Sequence, residues 1–391
     1  MADSKPELFK NLKKINPDEK IVYCNRCVVS NQRPRITFNQ NGICSACLWT
    51  EFKRKVIDWD KKEKELENLC DKFRSKDGSW DVIVPGSGGK DSSYVAYILK
   101  KKYGMHPLTV TWASALPTEI GTENLLKFIQ SGFDNILATP NGEIHKKLSR
   151  LALEEFGDNF LPFVYGQLNY PFQIAVKFNI PLIFYGEDGD VEYGGSFERF
   201  DKSQLDSVYT VKSKFTSLPP EYWEKFGISK MNLKFYQSPS QKNISKIGAQ
   251  AHYFSYFKKW SPEENYKIAK QELGFTPDPD GRSEGTYTDF ASLDDKSDGF
   301  HYYLALIKFG IGRTTSDASH QIRDGIITRD EGVELVQKYD TEFPSKYLKE
   351  FLDYIDIDNE KLTQIIDKFR RPLIWGKQNN EWELKQPVKK L

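Results

Sequence analysis

Seven residues, Ser87-Gly88-Gly89-Lys90-Asp91-Ser92-Ser93, follow the apolar run Asp81-Val82-Ile83-Val84-Pro85-Gly86 and precede a helical stretch from Tyr94 to Lys101. A strand that breaks into a glycine-rich turn and then opens a helix aims several backbone N–H groups at one point. The positive end of the helix dipole points there too, so the junction is built to cradle an anion such as phosphate.

The spacing is not that of the common nucleoside triphosphatase loop, which needs Gly, four residues, then Gly-Lys-Ser/Thr. Val84 stands where the first Gly belongs, and Asp91 replaces the hydroxyl residue that would hold magnesium. The pattern Ser-Gly-Gly-x-Asp-Ser instead resembles the PP-loop of ATP pyrophosphatases. That resemblance implies a grip on the β,γ-pyrophosphate, attack by a substrate oxygen at the α-phosphorus, and AMP plus pyrophosphate as products.

Cys24-Asn25-Arg26-Cys27 and Cys44-Ser45-Ala46-Cys47 form two Cys-x-x-Cys knuckles with 16 residues between them, a zinc-ribbon spacing. The polar span Asn31 to Gly42 can fold back between them, with Asn39-Gln40-Asn41-Gly42 as its turn. Four thiolates close a tetrahedral coordination sphere, so the zinc expected on Cys24, Cys27, Cys44 and Cys47 is structural. The fifth cysteine, Cys70, reads as a small half-buried hydrophobe.

Residues 49 to 74 are charged with apolar positions at helical spacing and read as an amphipathic connector helix. Further strands are expected at Pro107 to Trp112, Asn135 to Thr139 and Pro181 to Gly186, alternating with helices near 121–132, 143–156 and 167–178. Such alternation implies an α/β fold with a parallel sheet and helices on both faces, and ligands bind beyond the carboxyl ends of its strands. The phosphate loop and Glu187-Asp188-Gly189-Asp190 therefore face one crevice. Carboxylates at a strand end suit magnesium, which makes Asp91, Glu187 and Asp188 its expected ligands, with Asp190 the weaker candidate.

Beyond Gly194 the alternation stops, and residues 195–300 read as an aromatic-rich insertion over the crevice, the expected place for a second substrate. From Gly299 the chain is mostly helical to about residue 370, with a peripheral charged tail after Gly376. The expected units are 1–50, 51–78, 79–194, 195–300 and 301–391. Lys308 and Arg313, in a segment rich in Gly and hydroxyl residues, would neutralise phosphate charge if the fold returns them to the crevice.

A net charge of +1 lacks the basic excess expected of a nucleic-acid binder, so nucleic acid is an unlikely partner. No apolar run approaches the roughly 18 residues of a membrane helix. Met1-Ala2-Asp3-Ser4-Lys5-Pro6 has no apolar signal core, so a cytoplasmic protein without membrane contact is expected.

The ribbon, the PP-loop, Tyr185-Gly186-Glu187-Asp188-Gly189, the run Gly281-Arg282-Ser283-Glu284-Gly285-Thr286-Tyr287 and Gly312-Arg313 occur in order over about residues 20–360. In that combination the chain resembles the N-acetyl sugar amidotransferases, PP-loop enzymes of bacterial surface-glycan biosynthesis, with an adenine nucleotide alpha hydrolase-like fold. Their lipopolysaccharide and flagellar routes lead to amidino derivatives of nonulosonic acids, of the pseudaminic or legionaminic type, and of mannuronic acid. The resemblance implies ATP-dependent conversion of a sugar acetamido group to an acetamidino group through an adenylated imidate, whether or not the sugar is nucleotide-linked. The residues expected on ATP are then Ser87, Gly88, Gly89, Lys90, Asp91, Ser92, Ser93 and Gly186, and the expected catalytic residues are Lys90, Asp91, Lys308 and Arg313.

A glutaminase needs a reactive cysteine, yet four are committed to metal and Cys70 lies on a connector with no nearby His. Ammonia is therefore expected from a separate glutaminase subunit. Two other readings compete: a PP-loop transfer-RNA thiolase, disfavoured because no cysteine follows Cys70, and a non-catalytic zinc and nucleotide-binding scaffold.

Overall fold

The computed structural model describes residues 7–9, 11–195, 200, 204–205 and 218–391. Parts of the expected 195–300 insertion and of the N-terminal segment lie outside the described residues. A six-stranded sheet organises the chain, in the order β3-β2-β1-β4-β6-β5. Its members are β1 (Val82–Pro85), β2 (Pro107–Trp112), β3 (Asp134–Ala138), β4 (Leu182–Tyr185), β5 (Gln204–Leu205) and β6 (Gln250–Tyr253). All pairings are parallel except the edge pair β5–β6.

Residues Val82, Ile83 and Val84 are all buried because both sheet faces are covered. Val82 and Val84 pack on Leu66, Cys70, Val95 and Leu99, whereas Ile83 faces Phe172, Ile174 and Ala175. The covering helices are α2 (Trp59–Phe73), α3 (Lys90–Lys101), α4 (Glu119–Gln130), α5 (Gly142–Phe156) and α6 (Leu161–Phe178), while α1 (Ser45–Lys55) belongs to the cysteine module. Helix α7 (Pro262–Leu273) lies against α3.

The structure changes three expectations. The sheet does not end at β4: Gln250–Tyr253 joins it in register, Leu182 opposite Gln250 and Tyr185 opposite Tyr253. The connector is two helices, because Asp58 accepts the Lys61 N–H and starts α2 afresh. The tail after Gly376 is tied down, with Val388 buried and its carbonyl accepting from Gln337, and Trp375–Gln378 paired with Glu381–Leu384. The aromatic residues Trp223, Tyr253, Phe254, Phe257 and Trp260 are buried core.

The C-terminal region is mostly helical, as expected: α8 (Asp298–Phe309), α9 (Arg313–Asp324), α10 (Arg329–Tyr339), α11 (Leu348–Ile355) and α12 (Asn359–Phe369). The cysteine module seats on the short helical turn Gly189–Glu192 that follows β4. Buried Glu192 accepts from Lys53 at 2.6 Å and Trp49 at 2.9 Å, while Arg323 of α9 donates to its carbonyl at 3.1 Å. Among the described residues, no helix is long and apolar enough to cross a membrane.

Candidate active site

Order 3-2-1-4 places the ends of β1 and β4 side by side, since Ile83 pairs with Ile183. A crevice opens where the sheet's connections diverge. The β1–α3 turn fills one wall. Gly88 has φ +85°, and a Cβ there would stand 2.7 Å from the Leu125 Cα, so the turn needs glycine. A Cβ on Gly86 would collide with the Ser92 side chain. Gly89 begins α3 without a side-chain cap, which leaves the first-turn N–H groups available to an anion.

The polar side chains of the loop are held in place. Lys90 Nζ donates to Asp91 at 2.5 Å, and Asn265 of α7 donates to the other Asp91 oxygen at 2.8 Å. Ser87 Oγ donates to Asp294, and Ser92 Oγ to the Gly89 carbonyl at 3.1 Å. Burial pushes the Asp294 carboxyl up to about 6, partly opposed by that Ser87 hydrogen bond.

At the end of β4, Gly186 lies under the Trp260 ring, 3.0 Å from where a Cβ would be. Glu187 has a buried Oε2 without a hydrogen-bond partner. Burial, then the neighbouring charges of Asp91 and Glu192, push its carboxyl up to about 7. Asp188 turns to a local task, accepting from the Asp190 N–H at 3.0 Å, and lines neither chamber described below. Asp190 pairs with Arg35 at 2.5 Å.

Two chambers meet at this point. The first, of about 500 Å³, runs from Ser87, Gly89 and Lys90 past Trp112 and Tyr170 to Asp294 and Asp295. A second, of about 900 Å³, is lined by Arg33, Arg35, Asp158, Tyr193, Lys308 and Gln321, among others. Lys90, Asp91, Glu187, Phe290, His301, Tyr302 and Arg313 are among the residues that belong to both and form the throat. Arg313 is thus brought to the phosphate loop, fixed by Asp317 at 3.2 Å and by the Tyr302 hydroxyl. Lys308 is not: it lines the second chamber only and donates to the Phe156 carbonyl at 3.2 Å.

Sequence reasoning missed Asp294, His301 and Asp158 as wall residues, and Asn265 as the side chain that holds Asp91. An acidic pair, Asp294-Asp295, was the available signal for the first. Nothing local marks the others. The Gly281–Tyr287 run braces α9 and the 340s instead: Arg282 forms a paired contact with Glu342 at 2.7 and 2.9 Å, and Thr286 donates to Asp317 at 2.9 Å.

The cysteine cluster stands apart. Its four ligand atoms lie within 4.8 Å of one another, with Sγ pairs at 3.9 Å (Cys24–Cys47) and 3.7 Å (Cys27–Cys44). Tetrahedral zinc with Zn–S near 2.3 Å requires about 3.8 Å between sulfurs, so the donors fit such a metal. None of the four lines either chamber. Cys70 is fully buried, and burial pushes its thiol up to about 12, so it is no reactive thiolate.

Sheet, loop and chambers define an α/β protein with a PP-loop-like turn, a four-cysteine cluster able to hold a metal and a mostly helical C-terminal region. Residues 284–389 match the family model described as LPS biosynthesis protein WbpG-like, C-terminal domain. An uncharacterized protein of Methanocaldococcus jannaschii is 31% identical over 104 residues, 26% of this chain and 37% of that protein. Among solved structures, NMN synthetase of Francisella tularensis aligns at 13% identity over 56% of this chain and 90% of its own, with a TM-score of 0.29. The U34-tRNA thiolase NcsA of Methanococcus maripaludis, with its [4Fe-4S] cluster, aligns at 14% identity over 68% and 79%, also at 0.29. NH3-dependent NAD synthetase of Campylobacter jejuni subsp. jejuni gives 11% identity, 57% and 99% coverage, and 0.28.

The raised Asp294 pKa makes a stability prediction with a definite sign. Its charged form is disfavoured in the fold, so ligand-free protein loses stability as pH climbs from about 4 to about 6 and stays at the lower level above. Asp294→Asn should raise Tm at pH 8 by roughly 2–5 °C and leave it nearly unchanged at pH 4. A lower Tm at pH 8 in thermal melts would contradict this electrostatic assignment.

Proposed function

We propose that the chain is an ATP-dependent amidotransferase that converts the acetamido group of a sugar to an acetamidino group, releasing AMP and pyrophosphate. One observation carries this reading: the phosphate chamber opens into a larger chamber through a throat lined by Lys90, Asp91, Glu187 and Arg313. A triphosphate whose outer phosphates lie on the loop presents its α-phosphorus toward a second substrate there. The match of residues 284–389 to a lipopolysaccharide biosynthesis family supports a sugar of a bacterial surface glycan as that substrate.

An amide is a poor electrophile, and the proposed route activates it first. The amide oxygen attacks the α-phosphorus, the bond to the β-phosphate oxygen breaks, and pyrophosphate leaves into the Ser87–Ser93 cradle. Free first-turn N–H groups, Lys90 and Arg313 stabilise the charge that gathers on the leaving group. Ammonia then adds to the activated carbon, the C–O bond to AMP breaks, and the amidine keeps the new nitrogen. No protein nucleophile is required.

Glu187, with its orphaned Oε2, and Asp91 in the same throat are the residues that would hold a magnesium ion. Magnesium bound there would neutralise phosphate charge. In the cysteine module, Cys24, Cys27, Cys44 and Cys47 would hold a zinc ion whose role would be structural. No cysteine lines either chamber, which supports ammonia arriving from a separate glutaminase subunit and argues against thiolase chemistry.

Two measurements test these assignments. With ATP, magnesium, ammonium and a panel of diacetamido sugars, the chain should release AMP and form a product about one mass unit lighter, as NH replaces O. Glutamine alone should not support turnover; ADP formation, or glutamine hydrolysis by the purified chain, would overturn the proposal. Elemental analysis of protein purified without added metal should find one zinc per chain, and finding no zinc would refute the zinc assignment.

A further inference from the structure

The throat contains an oriented histidine that neither the loop nor the proposed nucleotide contacts use. His301, in the first turn of α8, lines both chambers. Its Nδ1 lies 2.8 Å from Asp158 Oδ1, and Asp158 is itself fixed by the Phe160 N–H at 3.0 Å. The carboxylate selects the tautomer with hydrogen on Nδ1 and leaves Nε2 as the accepting nitrogen. Among the described residues, Nε2 has no hydrogen-bond partner. Phe160 and Tyr302 flank the ring at 5.3 and 5.0 Å between centroids and limit its rotation.

The other four histidines lack this arrangement. His145 and His252 are buried with their basicity pushed down to about 4, and burial also lowers His320 well below its ordinary value. His106 lies on the far side of the sheet, beside β2's amino end and Gly78. Burial would lower His301 too, yet Asp158 outweighs it and the ring's pKa is raised. Asp298 adds to that rise and Lys308 opposes it. Lys90, Asp91, Glu187 and Arg313 share the throat with the ring.

We propose that His301, positioned by Asp158, accepts the proton that the attacking ammonia must lose in the second half of the reaction. This rests on the amidotransferase reading above. As ammonia's nitrogen bonds to the carbon of the protonated imidate, the imidate C=N π pair moves onto the sugar nitrogen and the new substituent becomes a cationic –NH3 group. One proton passes to His301 Nε2, the freed lone pair forms the C=N bond, and the C–O bond breaks to release AMP. The protonated ring then returns its proton to the solvent or to the basic amidine product. Neither oxidant nor further co-reactant is involved.

The test separates the two half-reactions, using ATP, magnesium, ammonium chloride and the diacetamido-sugar panel with the full chain. In His301→Gln, first-turnover pyrophosphate release should be largely kept, while amidino product falls by about 10²-fold or more. In Asp158→Asn, the acid limb of the product-formation pH profile should move to lower pH, because burial then acts on the ring without its carboxylate partner. Imidazole ¹⁵N NMR on histidine-labelled protein should show the same downward shift of the His301 midpoint. Equal loss of pyrophosphate and product in His301→Gln, undiminished product, or an unmoved midpoint in Asp158→Asn overturns the inference alone. A wild-type chain that makes no AMP from the panel overturns the amidotransferase reading, and this role with it.

Discussion

Parallel pairing of β1 with both β2 and β4 is the constraint on which the site depends. Because β1 sits between them, its carboxyl end and that of β4 open on one crevice, and both following turns must face it. The β1 turn contributes uncapped helix N–H groups, a positive pole. The β4 turn contributes Glu187, a carboxylate with an unpaired buried oxygen. One strand pairing thus sets a donor surface against an acidic one across a gap of ligand size.

The cysteine module acts on this site through the turn after β4. Glu192 binds Lys53 and Trp49 of α1 and receives Arg323 of α9, so the module, the sheet core and the helical region converge on one short segment. Replacing water around a carboxylate costs several kcal/mol unless charged donors take its place, and here a buried lysine and an indole N–H do so. The 33–35 loop of the module forms part of the second chamber. A metal that orders the module would therefore also shape the chamber proposed for the sugar.

Much of this was legible because it is local. Val82 to Ser93 carries strand, turn and helix within a dozen residues, and each Cys-x-x-Cys knuckle declares its ligands by spacing alone. The strand Gln250–Tyr253 escaped notice because half of it is polar: Gln250 and His252 alternate with Ala251 and Tyr253 next to a short antiparallel edge strand, so no apolar run marks it. The chamber walls were illegible for another reason. Ser87 meets Asp294 across 207 positions and Asp158 meets His301 across 143, contacts that only the folded chain creates. Lys308 and Arg313, five residues apart, part company because Gly310, at φ +61°, ends α8 between them and α9 starts in a new direction.

The claim that joins fold to chemistry is attack by the amide oxygen on the α-phosphorus. Labelling the acetamido carbonyl of a turned-over sugar with ¹⁸O and following the isotope by mass spectrometry tests it most directly. Label recovered in the phosphate of AMP is the expected result; label in pyrophosphate, in water, or retained in the sugar product contradicts it.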